Sequence, residues 1–287
     1  MVEVSVVMCV YNVARYIEHC LTALLNQSHS DFELVIVDDH STDNTVELIM
    51  GFNDKRVRLL RNNKNFGVTA SRNIAIAHAS GRYLFFTDGD CAVDREWIRN
   101  GLKVFRETGC AGIEGVTYFV GKDYKPCFAD KVIDTRVGGQ YMTCNMAYTR
   151  EIIDRVGLMD DSFGYCADRD FALRVKKHGI ILFSDRTIVT HLLAVWTVKG
   201  FIKSASRIKS RVKLFKIHHE QACLLGRIVY PRNLLAVLFP PLTLLIPFCH
   251  RFRRWDDLKL IPFLYPMLLY ERLILWRECL REGVFLV

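Results

Sequence analysis

Two aspartates separated by one residue, Asp88 and Asp90, directly follow an apolar run at residues 83–86. Carboxylates placed this way at the end of a strand can both face a hard divalent cation, and Mn²⁺ or Mg²⁺ would bind them together with diphosphate oxygens. Such an ion would neutralise the charge that builds up on a departing nucleotide diphosphate. An isolated D-x-D sequence is more often a solvated turn, so this interpretation depends on the surrounding residues.

Other polar residues also come just after apolar runs of the chain. Each of three motifs directly follows a short apolar run: Tyr11-Asn12, Asp38-Asp39 and Asp88-Gly89-Asp90. Residue spacing predicts strands at 4–10, 32–37, 56–60 and 82–87, and helices at 13–26, 68–79 and 94–107. Ser41 is expected to open a further helix as its N-cap.

This alternation of strands and helices predicts an α/β fold with a mostly parallel sheet flanked by helices. Ligands bind beyond the carboxyl ends of the strands in such sheets, so one crevice should collect the three motifs. Residues 138–178 are expected to form a loop, a helix, a second loop and a second helix.

The composition changes near residue 196. Residues 196–287 contain 16 Lys and Arg but only 6 Asp and Glu, so they carry all of the excess in the formal net charge of +8. Between residues 198 and 215 the apolar residues share one helical face: Val198, Phe201, Ile202, Ala205, Ile208, Val212 and Phe215. A basic amphipathic helix of this kind is typical of membrane surfaces.

Two further apolar runs, residues 234–248 and 258–276, are interrupted by proline or by charge. We therefore expect a peripheral, monotopic or re-entrant attachment to membrane lipids, although two spans remain an alternative. Basic flanking residues place both ends on the cytoplasmic side. Ten cysteines without a C-x-x-C pair agree with a reducing compartment and give no indication of a zinc site.

Four segments of the sequence closely resemble the family 2 glycosyltransferases of the GT-A fold. They are VSVVMCVYN, LVIVDDHSTDNT, NFGVTASRNIAIAHASGRYLFFTDGD and, in the acceptor region, CNMAYTREIIDRVGLMDDSFGYCADRDFALRVKKHG. The resemblance implies a metal-dependent, inverting transfer of a sugar from a UDP- or GDP-sugar. It also implies a GT-A catalytic domain at residues 1–195, with a nucleotide-binding half to about 110 and an acceptor half at 111–195. The helical membrane-associated region would then occupy 196–287.

The resemblance assigns roles to particular residues. Those expected to bind the nucleotide-sugar are Tyr11, Asp39, Asn65, Gly67, Arg72, Asp88 and Asn145. In this set Tyr11 lines the base pocket, Asp39 accepts a hydrogen bond from the base, and Asn145 contacts the donor sugar or the acceptor. The expected metal ligands are Asp88, Asp90 and His191.

Inversion needs a general base opposite the leaving group, and the resemblance aligns Asp168 with that base. Its family counterpart belongs to a Glu-Asp pair, but Ala167 stands here in place of the glutamate. Asp170 is the rival carboxylate, although its position suits the start of a helix.

Transfer of a single sugar is expected, because Arg253-Arg254-Trp255 lacks the glutamine and spacing of the motif in processive synthases. The apolar and basic region at residues 196–287 suggests a lipid acceptor, either a polyprenyl-phosphate or a lipid-linked glycan. One alternative is a non-enzymatic membrane scaffold built on a degenerate transferase domain. A sugar nucleotidyltransferase is disfavoured because no glycine-rich loop follows the first strand, and the uncharged runs argue against nucleic-acid binding by the tail.

Overall fold

The computed structural model describes residues 2–218, 237–238, 240–241 and 254–284. Within them, eight strands form one sheet: β1 Val4–Val10, β2 Phe32–Asp38, β3 Val57–Arg61, β4 Tyr83–Asp88, β5 Cys91–Val93, β6 Gly112–Phe119, β7 Met146–Thr149 and β8 Ile181–His191. The four strands predicted from the first apolar runs are therefore confirmed, with their ends displaced by a residue at most.

The sheet has the strand order β3-β2-β1-β4-β7-β6-β8-β5. Strands β1 to β4 pair only in parallel with one another, as expected from the alternation of strands and helices. The second half is mixed, because β7 runs antiparallel to both β4 and β6, and β5 runs antiparallel to β8. The expectation of a mostly parallel sheet therefore describes the first half of the sheet only.

The described helices are α1 Ala14–Leu25, α2 Thr45–Met50, α3 Val68–His78, α4 Trp97–Thr108, α5 Arg150–Val156, α6 Ala167–Lys176, α7 Val198–Ser204, α8 Ile208–Ile217, α9 Trp255–Lys259 and α10 Ile261–Glu282. Ser41 does not cap α2, which begins after Asn44. Its hydroxyl accepts a hydrogen bond from the backbone N–H of Asn12 instead. Residues 138–178 contain β7 as well as the two expected helices, so the prediction for that segment missed a strand.

The chain forms two compact units. The first comprises Met1–Lys122, Ile133–Ser162 and Ala167–Leu192, and the second comprises Asp123–Val132, Phe163–Cys166 and Leu193–Val287. In the first unit, buried aliphatic and aromatic side chains cover both faces of the sheet. Leu34 and Phe85 belong to one of these clusters, whereas Val35 and Phe86 belong to the other. This alternation along β2 and β4 explains why both strands are apolar over most of their length.

In the second unit, the apolar stripe at residues 198–215 packs against α10. Phe201, Ile208 and Val212 share a buried cluster with Leu264 and Leu275 of that helix. The expectation that this stripe faces a membrane is therefore corrected, because its partner is protein. Among the described residues, no helix combines the length and the apolar composition that crossing a bilayer requires. The apolar run at 234–248 and Arg253 lie outside the described residues, with the exceptions of 237–238 and 240–241.

Candidate active site

The carboxyl ends of β1, β2 and β4 lie side by side in the first unit. Val10 pairs with Asp38, and Cys9 pairs with Asp88. Gly89 lets the chain turn tightly here, since a Cβ atom at this position would lie 2.9 Å from Val10 Cγ1. The polar motifs that follow these strands are thus brought to one edge of the sheet, as the sequence predicted.

Asp39 organises the loop that leads into α3. Its Oδ1 atom accepts hydrogen bonds from the Asn62 amide at 2.9 Å and the Phe66 backbone N–H at 2.8 Å, while Oδ2 accepts from the Gly67 N–H at 2.8 Å. Burial raises the pKa of Asp39, but these hydrogen bonds outweigh it and the net pKa is lowered.

The loops after β1 and β2 are bound to each other beside Asp39. The Asn12 side chain accepts from the Thr42 backbone N–H at 2.8 Å, and the Val13 N–H donates to the Thr45 hydroxyl at 2.9 Å. Asn12 has a φ of 53°, a left-handed conformation that asparagine tolerates. Tyr11 stands at this junction with 48% of its surface exposed, so its ring is available for stacking on a base.

Asn65 and Gly67 lie in the loop that Asp39 holds. The Asn65 amide donates to the Asp39 backbone carbonyl at 3.3 Å. Gly67 has a φ of 91°, which a residue with a Cβ rarely adopts, and it immediately precedes α3. The structure thus brings both residues together with Asp39, as expected for a shared nucleotide pocket.

Arg72 and Asp88 form a close ion pair, with Arg72 Nη2 2.8 Å from Asp88 Oδ1. The Arg72 side chain is buried, and although burial lowers its pKa, the nearby carboxylates of Asp88 and Asp168 raise it overall. The guanidinium therefore stays charged and acts on both carboxylates. Burial also raises the pKa of the Cys9 thiol to about 12, so this residue stays a neutral thiol beside the pair.

Three potential metal ligands converge next to this pair: Asp90, Cys91 and His191. Strand pairing places Cys91 opposite His191, and His191 Nε2 lies 3.4 Å from Asp90 Oδ2. His191 Nδ1 lies 2.9 Å from the Leu192 carbonyl, and when Nδ1 donates to this carbonyl, Nε2 is the ring nitrogen that can bind a metal ion. The Asp90 carboxylate is the member of this group that suits Mn²⁺ or Mg²⁺.

Asp88 is not a member of that group, since it faces Arg72. Of the expected metal ligands Asp88, Asp90 and His191, the structure brings Asp90 and His191 together, whereas Asp88 pairs with Arg72. Cys91 is the ligand candidate that the sequence did not suggest, because a buried strand residue gives no such signal.

The two rival carboxylates of α6 have different surroundings. Burial raises the pKa of Asp168, which Arg72 and the backbone N–H groups of Arg169 and Thr143 only partly counter. Asp170 is buried and accepts from Arg174 Nε at 2.9 Å, and the same arginine also holds the carbonyl of Leu158. The geometry therefore gives Asp170 a structural partner and leaves Asp168 as the better candidate base.

Asn145 occupies a different kind of position from the one expected. Its side chain is buried, accepts from Trp97 Nε1 at 2.9 Å, and donates to the carbonyls of Val116 and Thr187 at 2.7 and 2.9 Å. These bonds tie α4, β6 and β8 together. The structure thus gives the Asn145 amide a structural role, and its contact with the donor or the acceptor stays a prediction.

Two buried residues that support the site were missed from the sequence. Asn62 joins Asp39 to the Ser71 hydroxyl at the start of α3. Glu114 accepts three hydrogen bonds from successive backbone N–H groups at residues 139–141, at 2.6 to 2.9 Å, and so fixes the loop before Thr143. A single asparagine or a strand glutamate carries no motif, so only the folded chain identifies them.

Comparisons with known proteins agree with this geometry. A family model described as glycosyl transferase family 2 matches residues 5–160. The chain is 28% identical over 233 residues to the UDP-Glc:α-D-GlcNAc-diphosphoundecaprenol β-1,3-glucosyltransferase WfaP of Escherichia coli, covering 77% of this chain and 90% of that protein. It is also 28% identical to WfgD, a second E. coli enzyme of the same description, over 59% of this chain and 67% of the other.

Solved structures share the fold. S. aureus TarS 1–349 in complex with UDP-GlcNAc matches with a TM-score of 0.61 and 18% identity, covering 98% of this chain and 92% of that one. The mannosyltransferase PcManGT from Pyrobaculum calidifontis, in complex with GDP-Man and Mn²⁺, matches with a TM-score of 0.62 and 15% identity, covering 96% and 87%. At these identities the likeness establishes a GT-A-like α/β fold with a mixed sheet.

Proposed function

The protein belongs to glycosyl transferase family 2, and from that premise we propose that it transfers one sugar, with inversion, from a UDP-sugar to a lipid-linked acceptor. The observation that carries the proposal is the convergence of three groups at one edge of the sheet. They are the Asp39 loop, the Arg72–Asp88 pair and the base candidate Asp168. This edge offers a base pocket, a charged diphosphate site and a proton acceptor.

Each residue has a distinct part in the proposed reaction. Asp39 accepts a hydrogen bond from the ring N–H of the base, while Tyr11 stacks on the ring. Asp168 takes the proton from the acceptor hydroxyl as that oxygen attacks the anomeric carbon and the bond to the diphosphate breaks. Because burial raises its pKa, Asp168 is a stronger base than an ordinary aspartate.

The departing diphosphate gains negative charge that must be balanced. Arg72 supplies a fixed positive charge next to Asp88. Asp90 and His191 would hold a divalent cation, Mn²⁺ or Mg²⁺, which supplies Lewis-acid stabilisation of the leaving group when bound. The relatives named for UDP-Glc favour a UDP-sugar, and a GDP-sugar is the alternative donor.

The acceptor is proposed to be a sugar on a polyprenyl diphosphate. Support comes from WfaP and WfgD, whose names give a GlcNAc-diphosphoundecaprenol acceptor and a β-1,3 product. A β-linkage is the outcome of inverting an α-linked donor. The missing processive motif supports transfer of a single sugar.

We further propose that the second unit docks on the cytoplasmic face of the cell membrane. Support comes from apolar residues of α10 that are exposed at helical spacing: Tyr270, Leu273, Trp276 and Leu280. They occupy the side of α10 that does not face the buried cluster around Leu275. Lipid is the environment in which a stripe of this kind loses its contact with water.

A donor panel followed by a transfer assay tests the proposal. Thermal shift with UDP-Glc, UDP-GlcNAc, UDP-Gal and GDP-Man, each with Mn²⁺, should identify a UDP-sugar that raises Tm, since ligands that prefer the native state stabilise it. That donor should then label a polyprenyl-diphospho-GlcNAc. Stabilisation by a donor without transfer to any lipid-linked acceptor would contradict the acceptor assignment. No stabilisation by any donor would favour the scaffold alternative.

A further inference from the structure

A cluster of cations and aromatic rings lies within the second unit, and the proposed transfer chemistry does not use it. The guanidinium carbon of Arg207 is 4.7 Å from the ring centroid of Tyr165 and 5.2 Å from that of Trp196. The ammonium of Lys131 lies 5.8 Å from the same Trp196 ring. We call these four residues the Arg207 cluster.

Backbone contacts fix the cluster. Asp130 and Val195 form an antiparallel bridge, with Lys131 N–H donating to the residue 194 carbonyl at 2.9 Å and Trp196 N–H donating to the residue 129 carbonyl at 2.8 Å. The Tyr165 N–H donates to the Ser210 hydroxyl, one helical turn beyond Arg207, at 3.1 Å. The rings and cations are therefore held by the fold.

The positive charges of the cluster have no carboxylate partner among the residues that the structure describes. Asp130, the acid adjacent to Lys131, is buried and paired with Arg254, and it also accepts from Tyr124 and the Cys127 N–H. A ring that stacks on a guanidinium leaves the N–H donors at the guanidinium edge available for hydrogen bonds in its plane. This arrangement suits bidentate hydrogen bonding to phosphate oxygens.

We propose that the Arg207 cluster binds the diphosphate group of the polyprenyl-linked acceptor. In this role Arg207 donates in-plane hydrogen bonds to the phosphate oxygens, and Lys131 adds a second positive charge. In the sequence, Tyr165 precedes the base candidate Asp168 by three residues. This inference rests on the proposed function, because it takes the lipid-diphosphate acceptor as its ligand.

A binding measurement tests the site without requiring turnover. The probe is geranyl diphosphate, titrated into full-length protein with EDTA and saturating UDP to keep it out of the donor pocket. Arg207→Gln should weaken its binding roughly tenfold or more, the usual effect of losing a charge-assisted pair. Lys209→Gln is the matched control, since this exposed lysine of α8 has the same charge and no ring contact, and it should bind as wild type does.

A transfer assay separates this inference from the proposed function. Arg207→Gln should raise KM for a prenyl-diphospho-sugar about tenfold and leave kcat/KM unchanged for the same sugar on an uncharged alkyl chain. If wild type transfers sugar to neither acceptor, the proposed function fails. The geranyl diphosphate titration still shows whether the Arg207 cluster binds a diphosphate group. Equal losses with both acceptors, or equal losses in Arg207→Gln and Lys209→Gln, would overturn the diphosphate site.

A phospholipid headgroup is the other source of phosphate. Sedimentation with vesicles containing 30 mol% phosphatidylglycerol, a composition of roughly physiological anionic content, distinguishes the two. Arg207→Gln should sediment as wild type does, because one charge in a basic tail changes membrane attachment little. Loss of vesicle binding in Arg207→Gln, with geranyl diphosphate unable to compete, would assign the cluster to lipid headgroups and contradict the proposal.

Discussion

Replacing Asp168 by asparagine removes the proposed base while keeping its size and its position at the start of α6. We expect a large effect, because burial raises the pKa of Asp168, and Asp170, the other carboxylate of α6, is held by Arg174. General-base catalysis contributes roughly 10²–10⁴-fold, or about 3–5 kcal/mol of activation free energy. We expect kcat to fall by that factor and the Kd for the donor to stay within about twofold.

The pH profile gives a second signature of the same residue. Burial raises the pKa of Asp168 above 3.8, so the carboxylate is protonated, and kcat/KM lost, at a higher pH than for an exposed aspartate. The wild-type profile should therefore show an acidic limb above that value. Asp168→Asn should lack this limb in its residual activity.

We expect Asp168→Asn to lower activity without lowering folding stability. A raised pKa means that the ionised carboxylate favours the unfolded state, so this contribution to folding stability is lost as pH rises through the folded pKa. At neutral pH, Asp168→Asn should therefore keep or raise Tm. Asp170→Asn is the control: it weakens the bond to Arg174 and should lower unfolding free energy by about 1–3 kcal/mol without changing the pH profile.

The assay is steady-state transfer with the donor that thermal shift identifies, measured from about pH 4 to pH 9 to cover carboxylate and histidine titrations. Near-normal kcat in Asp168→Asn, or loss of the acidic limb in Asp170→Asn alone, would show that Asp168 is not the general base.

Three further perturbations test other parts of the molecule. Asp90→Asn and His191→Ala should each reduce Mn²⁺-dependent activity at least roughly tenfold and weaken Mn²⁺ binding in a calorimetric titration, and unchanged Mn²⁺ affinity in both would refute the metal site. Asp39→Asn leaves a backbone N–H of the loop unpaired, so it should cost about 1–3 kcal/mol of stability and abolish the UDP-induced rise in Tm. Because the pKa of Asp39 is lowered, its contribution to stability should be lost as pH falls through the folded pKa. Leu273→Lys with Trp276→Lys should release the protein from vesicles, and unchanged sedimentation would contradict docking through α10.

The first half of the sheet could be predicted because its signals are local. Runs such as residues 4–10 and 83–87 are buried on both faces, so they read as mostly apolar segments that are followed by polar residues. The positions of Asp39 and Asp88 follow from those ends. Residues 146–149 were missed because this strand is four residues long and continues directly into α5.

Other features depend on contacts between distant segments. Ser41 has the residue type of a helix cap, but Asn12 lies 29 positions away in the sequence and takes its hydroxyl. Asn145 lies in a segment that resembles an acceptor region, yet Trp97 and the strand carbonyls use its amide. The stripe at 198–215 has the pattern of a membrane helix, and no local signal reveals that α10 covers it.

Inverting transfer to a lipid-linked sugar determines the anomeric configuration of the product, so this configuration is the property to measure. Wild-type protein is incubated with a UDP-hexose, Mn²⁺ and a prenyl-diphospho-GlcNAc, and the product disaccharide is analysed by proton NMR. We expect wild type to form a new β-linked sugar, identified by the large coupling constant of its anomeric proton. Asp168→Asn should form no such product on the same time scale. An α-linked product, or a nucleotide-sugar formed in place of a disaccharide, would contradict inverting transfer.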